Sequence, residues 1–265
     1  MDNLHNAPLT HRHQRILEII NKQSIADVGQ LSDALGVSTV TIRSDLDALD
    51  KRLLLRRVRG GAMAMQAARF ERPVDVPTHS FTSEKERIGA VAAGMVRSGE
   101  TIILDAGTTT LAMAMALPED IEDVVVITSS LDIAIALEKH PGATVFVTGG
   151  KLKKSGRNPN SRSLVPPFAG LLLDHLNADF AYLCCAGIDA ERGFTNANLE
   201  EAEVKRFMIS ASRRCIMLAD RGKIGHVAGA RIAPIQDITT LVTDRKANPT
   251  EVSALQKSGL KVVLA

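Results

Sequence analysis

The 265-residue sequence predicts an α/β protein in two parts: an N-terminal winged helix-turn-helix over residues 1–68 and a C-terminal Rossmann-like α/β domain over 84–265. Three observations predict it. Three helix-period segments and a basic hairpin fill the first part. Residues 66–83 then lose periodicity and carry two prolines, which places a linker at 69–83. Beyond it, short apolar runs alternate with helix-length amphipathic stretches, the pattern of a largely parallel sheet with helices on both faces.

The elements of the first part follow in order. Residues 13–23 place Ile16, Leu17, Ile19 and Ile20 at helical spacing. Asp27 suits the N-cap of a second helix with Val28, Leu31 and Leu35 on one face, and Gly36 suits the left-handed position that ends it. Ser38 caps a third helix, 39–49, with Ile42, Leu46 and Leu49 on its inner stripe, so the helix-turn-helix spans about 26–45. The apolar runs 53–55 and 62–65 flank 56–61, where Gly60 and Gly61 read as a hairpin turn.

Helical geometry selects the residues that face outward. Opposite the inner stripe of the third helix stand Val40, Arg43, Ser44 and Asp47. Val40, Arg43 and Ser44 lie in the half of a recognition helix that enters the major groove. Asp47 would repel phosphates, so the helix is expected to dock by its N-terminal end. Ser38, Thr39 and Thr41 offer hydroxyls and free N–H groups to a phosphate, and Arg43 suits a guanine edge. Residues 51–59 hold five bases and no acid, which makes Arg57 and Arg59 the expected backbone contacts of the wing. The partner expected from these features is double-stranded operator DNA. The plainer reading is a small helical bundle with an exposed polar face.

Composition narrows the classes further. Apolar residues are 45% and charged residues 23%, ordinary for a globular protein. Aromatics are 3% with no Trp, which counts against single-strand binding by base stacking. The net charge of +2 is small, but residues 1–72 carry eleven Lys and Arg against eight Asp and Glu. The three cysteines lack metal or redox spacing and read as small core residues in a reducing compartment. No apolar run reaches the roughly 18–20 residues of a membrane span, so a cytoplasmic protein with no membrane partner is expected. His11 and His13 have no further ligands nearby, so no metal site is expected.

In the second part, strand candidates fall at 101–105, 124–128, 143–148, 180–185, 215–219, 240–243 and 261–264, with helices at 111–117, 131–139, 202–212 and 250–258. Asp105, Gly107, Thr108, Thr109 and Thr110 follow a strand and open a helix. Glycine there lets backbone approach a ligand, and hydroxyls with helix N–H groups suit a phosphate. The turns at Ser129–Ser130 and at Gly149–Gly150–Lys151 also follow strands, so three turns could meet one anion. Asp189 lies in a further polar cluster with Glu201 and Lys205. The last two are four apart, the spacing of an exposed helical ion pair. Charge balance for a phosphate would come from Lys151, Lys205 or Lys223.

The run Val37-Ser38-Thr39-Val40-Thr41-Ile42-Arg43-Ser44-Asp45-Leu46, then Leu49, Arg57, Arg59, Gly60, Gly61 and Ala62, resembles the helix-turn-helix of the DeoR family. The segments Glu84–Ile88, Asp105–Thr110, Thr148–Gly150, Gly187–Asp189, Glu201–Lys205 and Leu218–Asp220 resemble its effector domain. That resemblance implies a fold similar to sugar-phosphate isomerases and CoA transferases, and a role in sensing a phosphorylated sugar, polyol or related catabolite. Four places depart from the family's usual pattern: Ser44 for a second Arg, Arg221-Gly222 for two small hydroxyl residues, Cys184 for Gly, and the stretch 156–167.

The expectation is therefore a DNA-binding transcription regulator, a repressor of a carbohydrate or polyol catabolic operon relieved by a small phosphorylated metabolite. A homodimer or homotetramer is expected, because one winged helix reads few bases. No cofactor and no catalytic residue is expected. The rival is a sugar-phosphate isomerase with an appended DNA-binding module. Isomerisation needs a positioned base, and no paired acid–base set is identifiable by spacing.

Overall fold

A computed structural model describes residues 9–23, 25–52, 54–58, 60–64, 82–153 and 162–265. The chain divides into two compact units, Met1–Thr78 and His79–Ala265. In the first, α1 (His11–Gln23), α2 (Val28–Leu35) and α3 (Thr39–Lys51) pack around one core. Beside them β1 (Ile25–Asp27), β2 (Leu55–Val58) and β3 (Gly61–Ala64) form an antiparallel sheet in the order β1-β3-β2.

Both ends of α2 and the start of α3 have local causes. Asp27 accepts the Gln30 N–H at 2.8 Å, and the Gln30 side chain accepts the Asp27 N–H at 3.3 Å, a capping box. Gly36 ends α2 at φ 65°, and Ser38 Oγ accepts the Thr41 N–H at 3.2 Å to start α3. Ile16, Ile20, Leu31, Ile42, Leu46 and Leu49 are fully buried together, so the inner stripe of α3 is the one expected.

The hairpin differs in detail from the sequence reading. Gly60 turns at φ 84°, but Gly61 is already in β3, opposite Val58. A side chain on Gly61 would place its Cβ 2.3 Å from the Ala26 carbonyl oxygen, so this glycine serves the approach of β1. Strand β1 itself is too short for alternation to reveal, and its pairing with β3 creates it.

The second unit is built on seven parallel strands in the order β15-β14-β12-β9-β4-β5-β6. These are β4 (Thr101–Leu104), β5 (Val124–Thr128), β6 (Ala143–Val147), β9 (Ala178–Leu183), β12 (Ser212–Leu218), β14 (Thr240–Thr243) and β15 (Lys261–Leu264). Every strand candidate of the sequence is one of them.

Their side chains alternate between two cores. Ile102, Leu104 and Val126 pack with Ile88, Met113 and Ile133 of α4 (Thr82–Ala93), α5 (Thr108–Met115) and α6 (Leu131–Leu137). On the other face Ile103, Ile127 and Leu183 pack with Ala169, Ala202 and Leu255 of α7 (Ala169–Leu173), α8 (Leu199–Ser210) and α9 (Pro249–Lys257). Two small additions were not legible as strands: the hairpin of β7 (Lys151–Leu152) and β8 (Leu164–Val165), and an antiparallel sheet of β10 (Gly187–Asp189), β11 (Gly193–Asn196) and β13 (Ala230–Ala233).

The strand order fixes where a ligand can enter. From β4 the chain runs outward through β5 to β6, then returns to lay β9 on the other side of β4 and continues to β15. The order reverses between β4 and β9, and the crevice at such a reversal opens at the carboxyl ends of the strands. Asp105 leaves β4 there and Cys184 leaves β9.

Candidate functional site

On the first unit, α3 turns Val40 (71% exposed), Arg43, Ser44 and Asp47 to solvent. Ser38 and Thr39 are exposed at its start, while Thr41 is half-buried with its hydroxyl 2.9 Å from that of Ser38. Behind this face Asp45 is buried. It accepts Arg12 Nε at 2.5 Å and Arg12 Nη2 at 3.0 Å, and lies 3.2 Å from His13 Nε2. Burial alone would raise the Asp45 carboxyl, but Arg12 and His13 outweigh it and hold it below its usual range. The recognition helix is therefore tied to α1 by charge as well as by its apolar stripe.

The wing carries a second surprise. Arg57 Nε lies 3.0 Å from Asp47 Oδ1, and Arg57 Nη1 donates to the Gly61 carbonyl at 3.3 Å. The aspartate expected only to repel phosphates also holds the wing arginine. Arg59 lies outside the described residues.

On the second unit, the crevice at the ends of β4 and β9 brings together residues from distant parts of the chain. Asp105 and Lys205 form an ion pair, each 2% exposed. Asp105 Oδ2 also accepts the Cys184 N–H and the Cys184 thiol, both at 3.0 Å. Burial would push the Lys205 ammonium down, yet the Asp105 carboxylate, with Cys184 and Glu201 behind it, keeps it above its ordinary range. The i,i+4 spacing of Glu201 and Lys205 pointed to an exposed pair. Instead Lys205 turns inward to Asp105, and Glu201 accepts Lys153 Nζ and Asn196 Nδ2, both at 3.0 Å.

The turn after β4 opens α5. Gly107 is its N-cap and supplies no side-chain cap, whereas Ser130, Asn198 and Asn248 cap α6, α8 and α9 through their side chains. Thr108 is exposed. Thr109 is 5% exposed, and its hydroxyl has no hydrogen-bond partner among the described residues. The Thr110 hydroxyl is spent on the Asp105 and Gly107 carbonyls, at 2.6 and 3.0 Å.

The other two turns end the adjacent strands β5 and β6, so all three lie along one edge of the sheet. Ser130 serves as a cap there, Ser129 is buried under β8, and Gly149 and Gly150 turn at φ 71° and 128°. A Cβ on Gly150 would stand 2.4 Å from the Val165 carbonyl oxygen. Lys151 is matched by Glu200 at 2.5 Å. The Asp189 carboxylate is used to tie its own hairpin, accepting the Glu191 and Arg192 N–H groups at 2.9 and 2.8 Å.

Lys223 is half-buried in a short 3-10 turn, 221–223, and has no ion pair among the described residues. Lys85 of α4 is half-buried and likewise has none. Burial pushes its ammonium down, with Asp220, Lys223 and Cys184 as the charges that act on it. Arg221 stands apart from this cluster: it donates to Glu84 Oε1 at 3.1 Å and to the fully buried Asp244 at 2.8 Å. The departure at 221 therefore builds an ion-pair bridge within the unit. That at 184 puts at the crevice a thiol that reads in the sequence as a small core residue. Only residues 162–167 of the stretch 156–167 are described.

Residues 12–67 match the DeoR-like helix-turn-helix domain and residues 80–245 match the DeoR C terminal sensor domain. The chain belongs to the DeoR family. It is a DNA-binding transcription regulator by that membership. The uncharacterized HTH-type transcriptional regulator YulB of Bacillus subtilis is 37% identical over 96% of this chain and 96% of its own. The HTH-type transcriptional repressor GlcR of the same organism is 31% identical over 94% and 93%. Among solved structures, ribose 5-phosphate isomerase from Plasmodium falciparum aligns with 54% of this chain and 52% of its own at a TM-score of 0.38 and 19% identity.

For this DeoR-family chain, Asp45 and Lys85 have no role in the sequence reading, and the role of Cys184 is not legible in it. Asp45 could have been found, since it falls on the same helical stripe as Ile42 and Leu49. Lys85 lies in a family-like segment but on a helix whose apolar face is built from small residues, which hides its period. Cys184 is marked in the sequence only as a departure from the family's usual Gly, and its ion-pair surroundings come from β4 and α8, which no local pattern reveals.

Proposed function

We propose that this DeoR-family protein represses a carbohydrate or polyol catabolic operon and releases its double-stranded operator DNA when a phosphorylated sugar-type effector binds the second unit. The observation that carries the effector class is the uncapped start of α5 beside Thr109, a buried residue whose hydroxyl makes no hydrogen bond among the described residues. Free N–H groups at a helix start attract an anion, and the strand order puts this one in the crevice. Lys223 and Lys85 supply the cations, since Lys151 and Lys205 are matched by Glu200 and Asp105. A dianion gains charge-assisted bonds there that a free sugar does not.

Repression is the sign supported by the relative named as a repressor. On the first unit, Arg43 reads base edges with Val40 and Ser44 beside it, while Ser38, Thr39, Thr41, Arg57 and Arg59 hold phosphates. The protein acts as a homodimer or homotetramer on two half-sites. The non-enzymatic reading is favoured by how the carboxylates are engaged. Asp105 Oδ2 holds three donors and Glu201 two, so neither is placed as a free base.

Calorimetry with phosphorylated and unphosphorylated forms of the same sugars tests the reading. Only the phosphorylated forms should bind, and the Thr109→Val protein should lose that binding while retaining operator affinity. By linkage, an effector that lowers operator affinity must bind less tightly by the same factor when operator is present. Equal affinity for both forms of a sugar would remove the phosphate site.

A further inference from the structure

We propose that Cys184 is the specificity-determining residue of this crevice: its thiol covers the Asp105–Lys205 pair, so the effector is held through its phosphate and not by hydroxyls reaching that pair. The inference rests on the effector site argued above. Cys184 Sγ lies 3.0 Å from Asp105 Oδ2, 3.3 Å from the Ala106 carbonyl oxygen and 3.7 Å from Lys205 Nζ. It also fills the hollow left by Gly107, where an added Cβ would stand 2.3 Å from the sulfur. Asp105 and Lys205 are almost fully buried, whereas Cys184 is only partly so. The thiol thus stands between the ion pair and the crevice.

Chemistry makes this position selective. A carboxylate and an ammonium are the groups that sugar hydroxyls bind best, because hydrogen bonds to charged partners are the strong ones. Here the Asp105 oxygen that faces Lys205 already takes the Cys184 N–H and thiol. A ligand hydroxyl can reach it only by displacing the sulfur. Removing the side chain frees one acceptor position and the space beside Gly107 at once. The phosphate contacts on α5 do not involve the sulfur and should change little.

The test measures wild type, Cys184→Ala and Cys184→Gly by calorimetry with two probes, inorganic phosphate and glucose 6-phosphate, in the full-length protein. The ratio of their dissociation constants should move toward the sugar phosphate by about tenfold in the Gly variant, the size of one gained hydrogen bond to a charged group, and by less in the Ala variant. Should the Gly variant melt below the assay temperature, the Ala variant carries the comparison. Equal ratios in wild type and variants, with phosphate bound by all, overturn the role of Cys184 and leave the effector site standing. Failure of wild type to bind phosphate, or binding that survives Thr109→Val, removes the site and the proposal together.

Discussion

Replacing Lys205 with Met removes the cation of the buried pair while keeping a side chain of similar length. Among the described residues, the Asp105 carboxylate, 2% exposed, is then left with only the two bonds from Cys184. Stranding a buried charge in this way costs about 3–5 kcal/mol. A typical domain has about 5–15 kcal/mol in total, so the loss is a large share of the unit's stability. Asp105→Asn should cost a comparable amount by stranding the ammonium. The double variant buries no charge and keeps the shape, so it should fall within about 2 kcal/mol of wild type, a value well short of the two single costs added. Urea unfolding of the full chain, reading the transition of the second unit at constant m, measures all four proteins. Because the Lys205 ammonium is held above its ordinary 10.5, the stabilisation linked to its own protonation is fully present below that pH and is lost as pH rises through the higher folded value. Single costs that add up in the double variant would refute the reasoning, since they would mean the two charges do not need one another.

Other expectations follow from the same geometry. Arg43→Ala should cost about 1–3 kcal/mol on the cognate operator and relax preference at one base position, measured by binding to a set of single-base operator variants; uniform weakening on every sequence would make it a phosphate contact. Asp47→Ala should release Arg57 and strengthen binding to any duplex, with the salt slope steeper by about 0.9 if one phosphate contact is gained. An unchanged slope would show that Arg57 stays on the hairpin. The Arg221 guanidinium and the Ser83 hydroxyl hold the Glu84 carboxyl down to about 2, from an ordinary 4.5. A depressed carboxylate stabilises fully above its unfolded value and loses that contribution as pH falls. Melting temperature should therefore drop between pH 4.5 and about 2 more steeply in wild type than in Arg221→Ser. Parallel curves would count against the bridge.

Local rules account for what the sequence made legible. The capping box at Asp27, the left-handed Gly36 and the Ser38 cap are each satisfied within three or four residues, so they can be read from neighbours in the chain. The seven parallel strands were readable because each shows as an apolar run between polar turns, the inner ones buried on both faces and the edge strands β6 and β15 more exposed. The turn at Asp105–Thr110 was readable for the same reason, as a glycine and hydroxyls between a strand and a helix.

Tertiary structure decided which charges meet. Lys205 has Glu201 four residues away along α8, yet its partner is Asp105, one hundred residues distant. Helix spacing fixes only which side chains share a face; which face turns inward depends on the sheet that α8 packs against. The same is true of Arg57 with Asp47 and of Arg221 with Glu84 and Asp244, where long side chains choose among acceptors that the fold alone brings within reach. It is true above all of Cys184. In the sequence it is a small apolar residue at the end of a strand. Only the reversal of strand order between β4 and β9 sets its sulfur against Gly107 and over a buried ion pair. Hydrophobic pattern is a property of the chain, whereas the pairing of buried charges is a property of the folded surface around them, because a charge excluded from water must find whatever partner the packing provides.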